Sequence, residues 1–125
     1  MQDLLEDTIL NLLPKALQTR LPKEIRLISV TPKESRKLNT LYRSKDKATN
    51  VLSFRYGSEY GEIILCSFVI RREAKAQGNT FEYQMTWMVV HGIIHLAELH
   101  HEQSEMAGKQ VSRLEQKILN SLFGK

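Results

Sequence analysis

Leu5, Ile9, Leu12, Leu13 and Ala16 recur every three or four residues, the spacing that gathers side chains on one face of a helix, and they predict an amphipathic helix over residues 3–19. Pro14 lacks a backbone N–H and is expected to kink this helix or split it in two, and Pro22 closes the segment. Glu24 to Val30 is short, rich in Ile, Leu and Val and bounded by prolines, which predicts a strand. Thr31-Pro32-Lys33-Glu34 then joins a threonine cap, a proline at the first helical position and a glutamate three residues after the cap, so a helix should run to about Tyr42.

After a charged connection over Arg43 to Ala48, the segments Asn50 to Tyr56 and Glu62 to Cys66 flank a Gly57-Ser58-Glu59 break and predict two neighbouring strands. Residues 67–77 read as a helix ended by Gly78, which tolerates a left-handed backbone. Asn79-Thr80-Phe81-Glu82 resembles a further capping arrangement. From there Phe81, Met85, Met88, Gly92 and Leu96 trace one face of a long, largely buried helix, with His91 and His95 on or beside that face. Ala107, Val111, Leu114, Ile118 and Leu122 predict an amphipathic C-terminal helix.

At 125 residues, 42% hydrophobic and 26% charged, the chain has the composition of one domain able to build its own core, expected to span residues 1–125. No apolar run reaches the ~20 residues that cross a bilayer. The start, Met-Gln-Asp-Leu-Leu-Glu-Asp, is acidic where a secretory signal is basic, so a cytoplasmic protein with no membrane partner is expected. The lone Cys66 lies in an apolar run and reads as a buried reduced thiol. The net charge of +4 is unevenly placed. Between Arg20 and Asn50, nine basic residues (Arg20, Lys23, Arg26, Lys33, Arg36, Lys37, Arg43, Lys45, Lys47) face three acidic ones (Glu24, Glu34, Asp46), a local +6 that leaves −2 elsewhere. Such runs are ordinarily solvated faces, and this one points to a polyanionic partner only in company with the histidines.

All four histidines fall between positions 91 and 101. On a helix His91 and His95, at i and i+4, can aim two imidazoles at one ion, and His101 arrives six residues later, past the expected helix end. Three neutral imidazoles suit zinc and its neighbours and leave an open position for water or substrate, as catalytic sites require. His100 is left over, as a partner to a ligand, a substitute ligand or an exposed side chain.

The stretches Leu38-Asn39, Tyr42-Arg43-Ser44-Lys45-Asp46-Lys47-Ala48-Thr49-Asn50-Val51-Leu52-Ser53-Phe54, Gly61-Glu62-Ile63-Ile64-Leu65-Cys66 and Met88-Val89-Val90-His91-Gly92-Ile93-Ile94-His95-Leu96 closely resemble, in order and spacing, the YbeY family of bacterial rRNA maturation factors. The resemblance runs from about Glu24 through the C-terminal helix. It implies an endoribonuclease with one zinc ion per chain, acting in ribosomal RNA maturation and ribosome quality control, with ribosomal RNA as substrate and ribosomal proteins as further partners. It assigns His91, His95 and His101 as metal ligands and Arg43 to the active-site cleft, where a guanidinium offers bidentate recognition of phosphate. Lys45 and Lys47 then serve at most to neutralise the RNA backbone. The nucleophile, water or an RNA 2′-hydroxyl, stays open.

The chain departs from the family at several places. Where relatives carry Gly-Tyr-Asp-His, it has Glu98-Leu99-His100-His101, and a glutamate forced into a left-handed turn at 98 would cost ~1 kcal/mol or more. The aspartate beside the third histidine is replaced, and Arg55 stands where proline is common. The family's opening strand has no counterpart before the first helix. The expected fold is therefore α+β: a small mixed sheet of three or four strands packed by about five helices, with a zincin-like three-histidine site beside the basic region. Two other readings of the same residues are a non-catalytic rRNA-binding assembly factor and a zincin-like metalloprotease. The second lacks its general base, because Gly92 occupies the position of the usual glutamate.

Overall fold

Proline punctuation, caps and apolar runs lay out the chain much as expected. The computed structural model describes residues 2–100 and 108–124. Its elements are α1 (Gln2–Leu12), α2 (Lys15–Gln18), β1 (Glu24–Ser29), α3 (Pro32–Arg43), β2 (Val51–Tyr56), β3 (Tyr60–Leu65), α4 (Ser67–Gln77), α5 (Phe81–His100) and α6 (Gly108–Phe123). Pro14 does split the first helical segment, so the described residues hold six helices where about five were expected. None of them is long and apolar enough to cross a membrane.

The sheet is mixed and three-stranded, in the order β1-β3-β2. β1 runs parallel to β3, from Glu24 opposite Tyr60 to Ser29 opposite Leu65, and β2 runs antiparallel to it, from Val51 opposite Leu65 to Tyr56 opposite Tyr60. Gly57, at φ 76°, supplies the left-handed residue of the β2–β3 turn. The capping box of α3 is complete: Glu34 N–H donates to Thr31 Oγ1 at 3.1 Å and Thr31 N–H donates to Glu34 Oε1 at 2.9 Å. Gly78, at φ 74°, ends α4 in the left-handed conformation. Cys66, just ahead of α4, is a buried free thiol.

α5 is the centre of the molecule, in contact with α2, α4, α6 and the sheet. A largely buried helix was expected, and Met88, Val89, Val90, Ile93, Ile94, Leu96 and Ala97 are all buried, which is how a helix surrounded on most sides by protein reads. Two glycines set its distance from the sheet. A Cβ at Gly92 would lie 2.7 Å from Cγ2 of the fully buried Ile63 on β3, and one at Gly61 would meet Pro22 at 3.0 Å and Leu96 at 3.3 Å. Ser53 on β2 then donates its hydroxyl to the Gly92 carbonyl at 3.2 Å.

The turn considered at Glu98 does not form. α5 continues in right-handed helix through His100, and Ser44 is the one non-glycine residue with positive φ among those described. Glu98 therefore avoids the cost of a left-handed conformation.

The Gly92–Ile63 approach yields a stability prediction. Gly92→Val should lower the free energy of unfolding by about 1–3 kcal/mol, the usual cost of overpacking a dense core, as a fall in the urea midpoint at unchanged m. An unchanged midpoint would mean that the helix backbone does not need this closeness.

Candidate functional site

His91 and His95 occupy successive turns of α5, and both are half-buried. Their rings meet edge to face with centroids 4.3 Å apart, and the two Nε2 atoms approach to 2.9 Å. Trp87 stands one turn earlier on the same stripe, since residues four apart stack along a helix. Across from this stripe lies Glu115 of α6, which is buried. Its Oε1 accepts the Trp87 indole N–H at 3.0 Å and its Oε2 lies 2.5 Å from His91 Nδ1. Glu115 was not singled out from the sequence. The available signal was a carboxylate at i+4 from Val111 and i−3 from Ile118, on the face that α6 buries.

Burial lowers the proton affinity of His95 below the ordinary imidazole value, the neighbouring His91 and the positive charge of Arg43 lower it further, and Glu115 opposes them. Arg43 is the last residue of α3, exposed, with Ser44 stopping the helix in a left-handed cap at φ 57°. The segment that follows is fastened to α3 by buried polar side chains. Ser35 Oγ donates to the Thr49 carbonyl and accepts the Thr49 N–H, both at 2.8 Å, and Asn39 Nδ2 donates to the Lys47 carbonyl at 2.9 Å. Asn50 closes the loop by donating to Glu73 on α4 at 2.9 Å.

The basic region is less available than its net charge implies. Arg36 grips Asp46 through Nε at 2.7 Å and Nη2 at 3.1 Å, while Lys23 lies 3.6 Å from Glu59 and Arg26 3.9 Å from Glu24. Arg43, Lys45 and Lys47, on the end of α3 and the loop after it, have no such ion pair among the described residues. Arg55 is used structurally: its Nη1 donates to the carbonyls of Arg20 at 2.6 Å and Leu96 at 2.9 Å, and its Nε to that of Gly57 at 2.8 Å.

A polar cleft of about 280 Å³ opens beside His91, lined among others by Asn50, Glu73, Gln77, Gln84 and Trp87. The donor chemistry fits a transition metal at its edge, with two imidazoles converging through the same type of ring nitrogen and one of them backed by a carboxylate. His101, the third histidine expected there, lies outside the described residues. Among those described, no group of three or more histidine, cysteine, aspartate or glutamate side chains forms a metal cage. The protease geometry is not built, because residue 92 points its missing side chain at Ile63 and leaves no room for a catalytic glutamate.

Comparison with known proteins agrees with the fold. The chain is 35% identical over 102 residues to a Thermotoga petrophila protein named Endoribonuclease YbeY, covering 80% of this chain and 68% of the relative. It is 42% identical over 98 residues to the protein of the same name from Chelativorans sp., covering 71% of this chain and 60% of that one. A Thermotoga maritima protein solved in solution superposes with a TM-score of 0.64 at 28% identity, covering 98% of this chain and 83% of the other. Residues 1–123 match the family described as Endoribonuclease YbeY, and the chain belongs to that family.

Proposed function

We propose that this chain is a single-metal endoribonuclease that acts on ribosomal RNA in the cytoplasm during rRNA maturation and ribosome quality control, with His91, His95 and His101 as zinc ligands and Arg43 as the phosphate-binding catalytic residue. One observation carries the reading: two helix-borne imidazoles converge Nε2 to Nε2 at 2.9 Å in a chain of an endoribonuclease family. Zinc, when bound there, supplies a Lewis acid that acidifies water or polarises a phosphoryl oxygen.

The protein's own groups do the rest. The depressed proton affinity of His95 keeps its imidazole neutral, the form that binds metal, to lower pH than free histidine. Arg43 presents paired N–H donors to the scissile phosphate and offsets the charge that grows on its oxygens. Lys45 and Lys47 neutralise neighbouring phosphates. The fastenings at Ser35 and Asn39 hold the loop behind these cations in one arrangement. Ribosomal proteins that meet the same surface would be partners in delivering the RNA.

Untagged protein should carry about one equivalent of zinc after extensive dialysis, measured by elemental analysis, and His91→Ala, His95→Ala and His101→Ala should each lose it. A metal-free native chain would overturn the metal reading. With the zinc in place, Arg43→Ala should slow cleavage of an rRNA fragment roughly 10²-fold while leaving its affinity for that RNA close to native. Equal losses in cleavage and binding would reduce Arg43 to a docking contact.

In metal-free protein the His95 imidazole protons should titrate with a midpoint below the ordinary 6.5, followed by NMR. Because the folded value is depressed, the stability this group contributes is present above 6.5 and is lost as pH falls through the folded midpoint. Arg43→Ala should move that midpoint upward, since it removes one of the causes that lower it. No movement would place the Arg43 charge too far away to act at the histidines.

A further inference from the structure

Glu115 is 6% exposed, on a helix whose other inward residues are apolar, and both of its oxygens are in use. The Trp87 indole can only donate, so Oε1 is committed as an acceptor at 3.0 Å. The second oxygen, Oε2, sits 2.5 Å from His91 Nδ1. A carboxylate there requires a proton on Nδ1, and in a neutral ring that leaves the lone pair on Nε2, the atom 2.9 Å from His95 Nε2.

We propose that Glu115 is a positioning residue that locks His91 in its Nδ1–H tautomer and so aims the Nε2 lone pair at the point it shares with His95. Trp87 makes a carboxylate necessary for this task. Two donors, one on Trp87 and one on His91, converge on residue 115, and only a side chain with two acceptor oxygens satisfies both. An amide of the same shape has a single oxygen. Given to Trp87, that oxygen leaves an NH2 facing His91 and draws the His91 proton to Nε2, the nitrogen that should bind metal. The consequence for metal affinity rests on the zinc reading above, whereas the tautomer does not.

The test uses Glu115→Gln, Trp87→Phe and the double variant, each checked for folding by circular dichroism. Imidazole nitrogen shifts of metal-free protein report the His91 tautomer, and competition with a chromophoric chelator reports zinc affinity. Native protein and Trp87→Phe should hold His91 as Nδ1–H. Glu115→Gln should shift it toward Nε2–H and weaken zinc binding about 10–100-fold, the usual effect of losing a carboxylate behind a metal-binding histidine. The double variant should recover both properties in part, because its amide oxygen is free to accept from His91 once the indole is gone. A merely structural role for Glu115 predicts no such rescue.

The proposal is overturned if His91 is already Nε2–H in the native chain, if Glu115→Gln leaves tautomer and affinity unchanged, or if removing the indole rescues neither. Should the native chain bind no zinc, the metal reading falls by itself, and the His91 tautomers across the four proteins still decide the role of Glu115.

Discussion

The rest of the structure depends on how closely α5 lies against the sheet. With no side chain at Gly92, the helix backbone comes near enough to Ile63 that an added Cβ would overlap it, and the Ser53 hydroxyl ties the same carbonyl to β2. Each helical residue is turned about 100° from the one before it, so a Gly92 pressed against the sheet turns His91 aside, toward α6. His95 follows one turn later on the same stripe. The residue that is absent from the chemistry thus orients the two that are present.

A second level of organisation comes from polar groups buried in the scaffold rather than exposed in the cleft. Ser35 and Asn39 hold the loop after α3 by its backbone, which leaves the Arg43, Lys45 and Lys47 side chains facing outward. Backbone groups removed from water must find partners, so these contacts constrain the loop more firmly than surface ion pairs do. Glu115, at the edge of the cleft beside His91, is held in the same way by Trp87 and His91.

The elements governed by local rules were legible in the sequence. The Thr31 box, Gly78 and Pro14 each act through their own backbone and their nearest neighbours, and the structure has a helix start, a helix stop and a helix break at those places. The pairing of His91 with His95 follows from helical spacing alone. Glu115 and Trp87 were not legible, because their importance depends on which helix packs against α5, and an apolar period read along α6 passes over the one charged residue in its stripe. Residues 98–100 misled for a related reason. The resemblance implied a glycine turn there, whereas Ala97, Glu98 and Leu99 are good helix formers and the helix simply continues. Summed charge was similarly incomplete, since it counts Arg36 as a free cation when Asp46 already occupies it.

Arg55 closes the fold in a way that separates it from the other ionic contacts. Its guanidinium is held by the carbonyl oxygens of Arg20, Gly57 and Leu96, so the partner of this cation is a set of backbone dipoles and not a second ion. Mobile counterions compete well with an exposed carboxylate such as Asp46 and less well with part-buried peptide carbonyls such as those of Arg20 and Leu96. Rising ionic strength therefore acts unevenly on these two contacts. It loosens the Arg36–Asp46 clasp beside the basic loop while the knot that joins β2 to the second-histidine turn of α5 keeps its hold.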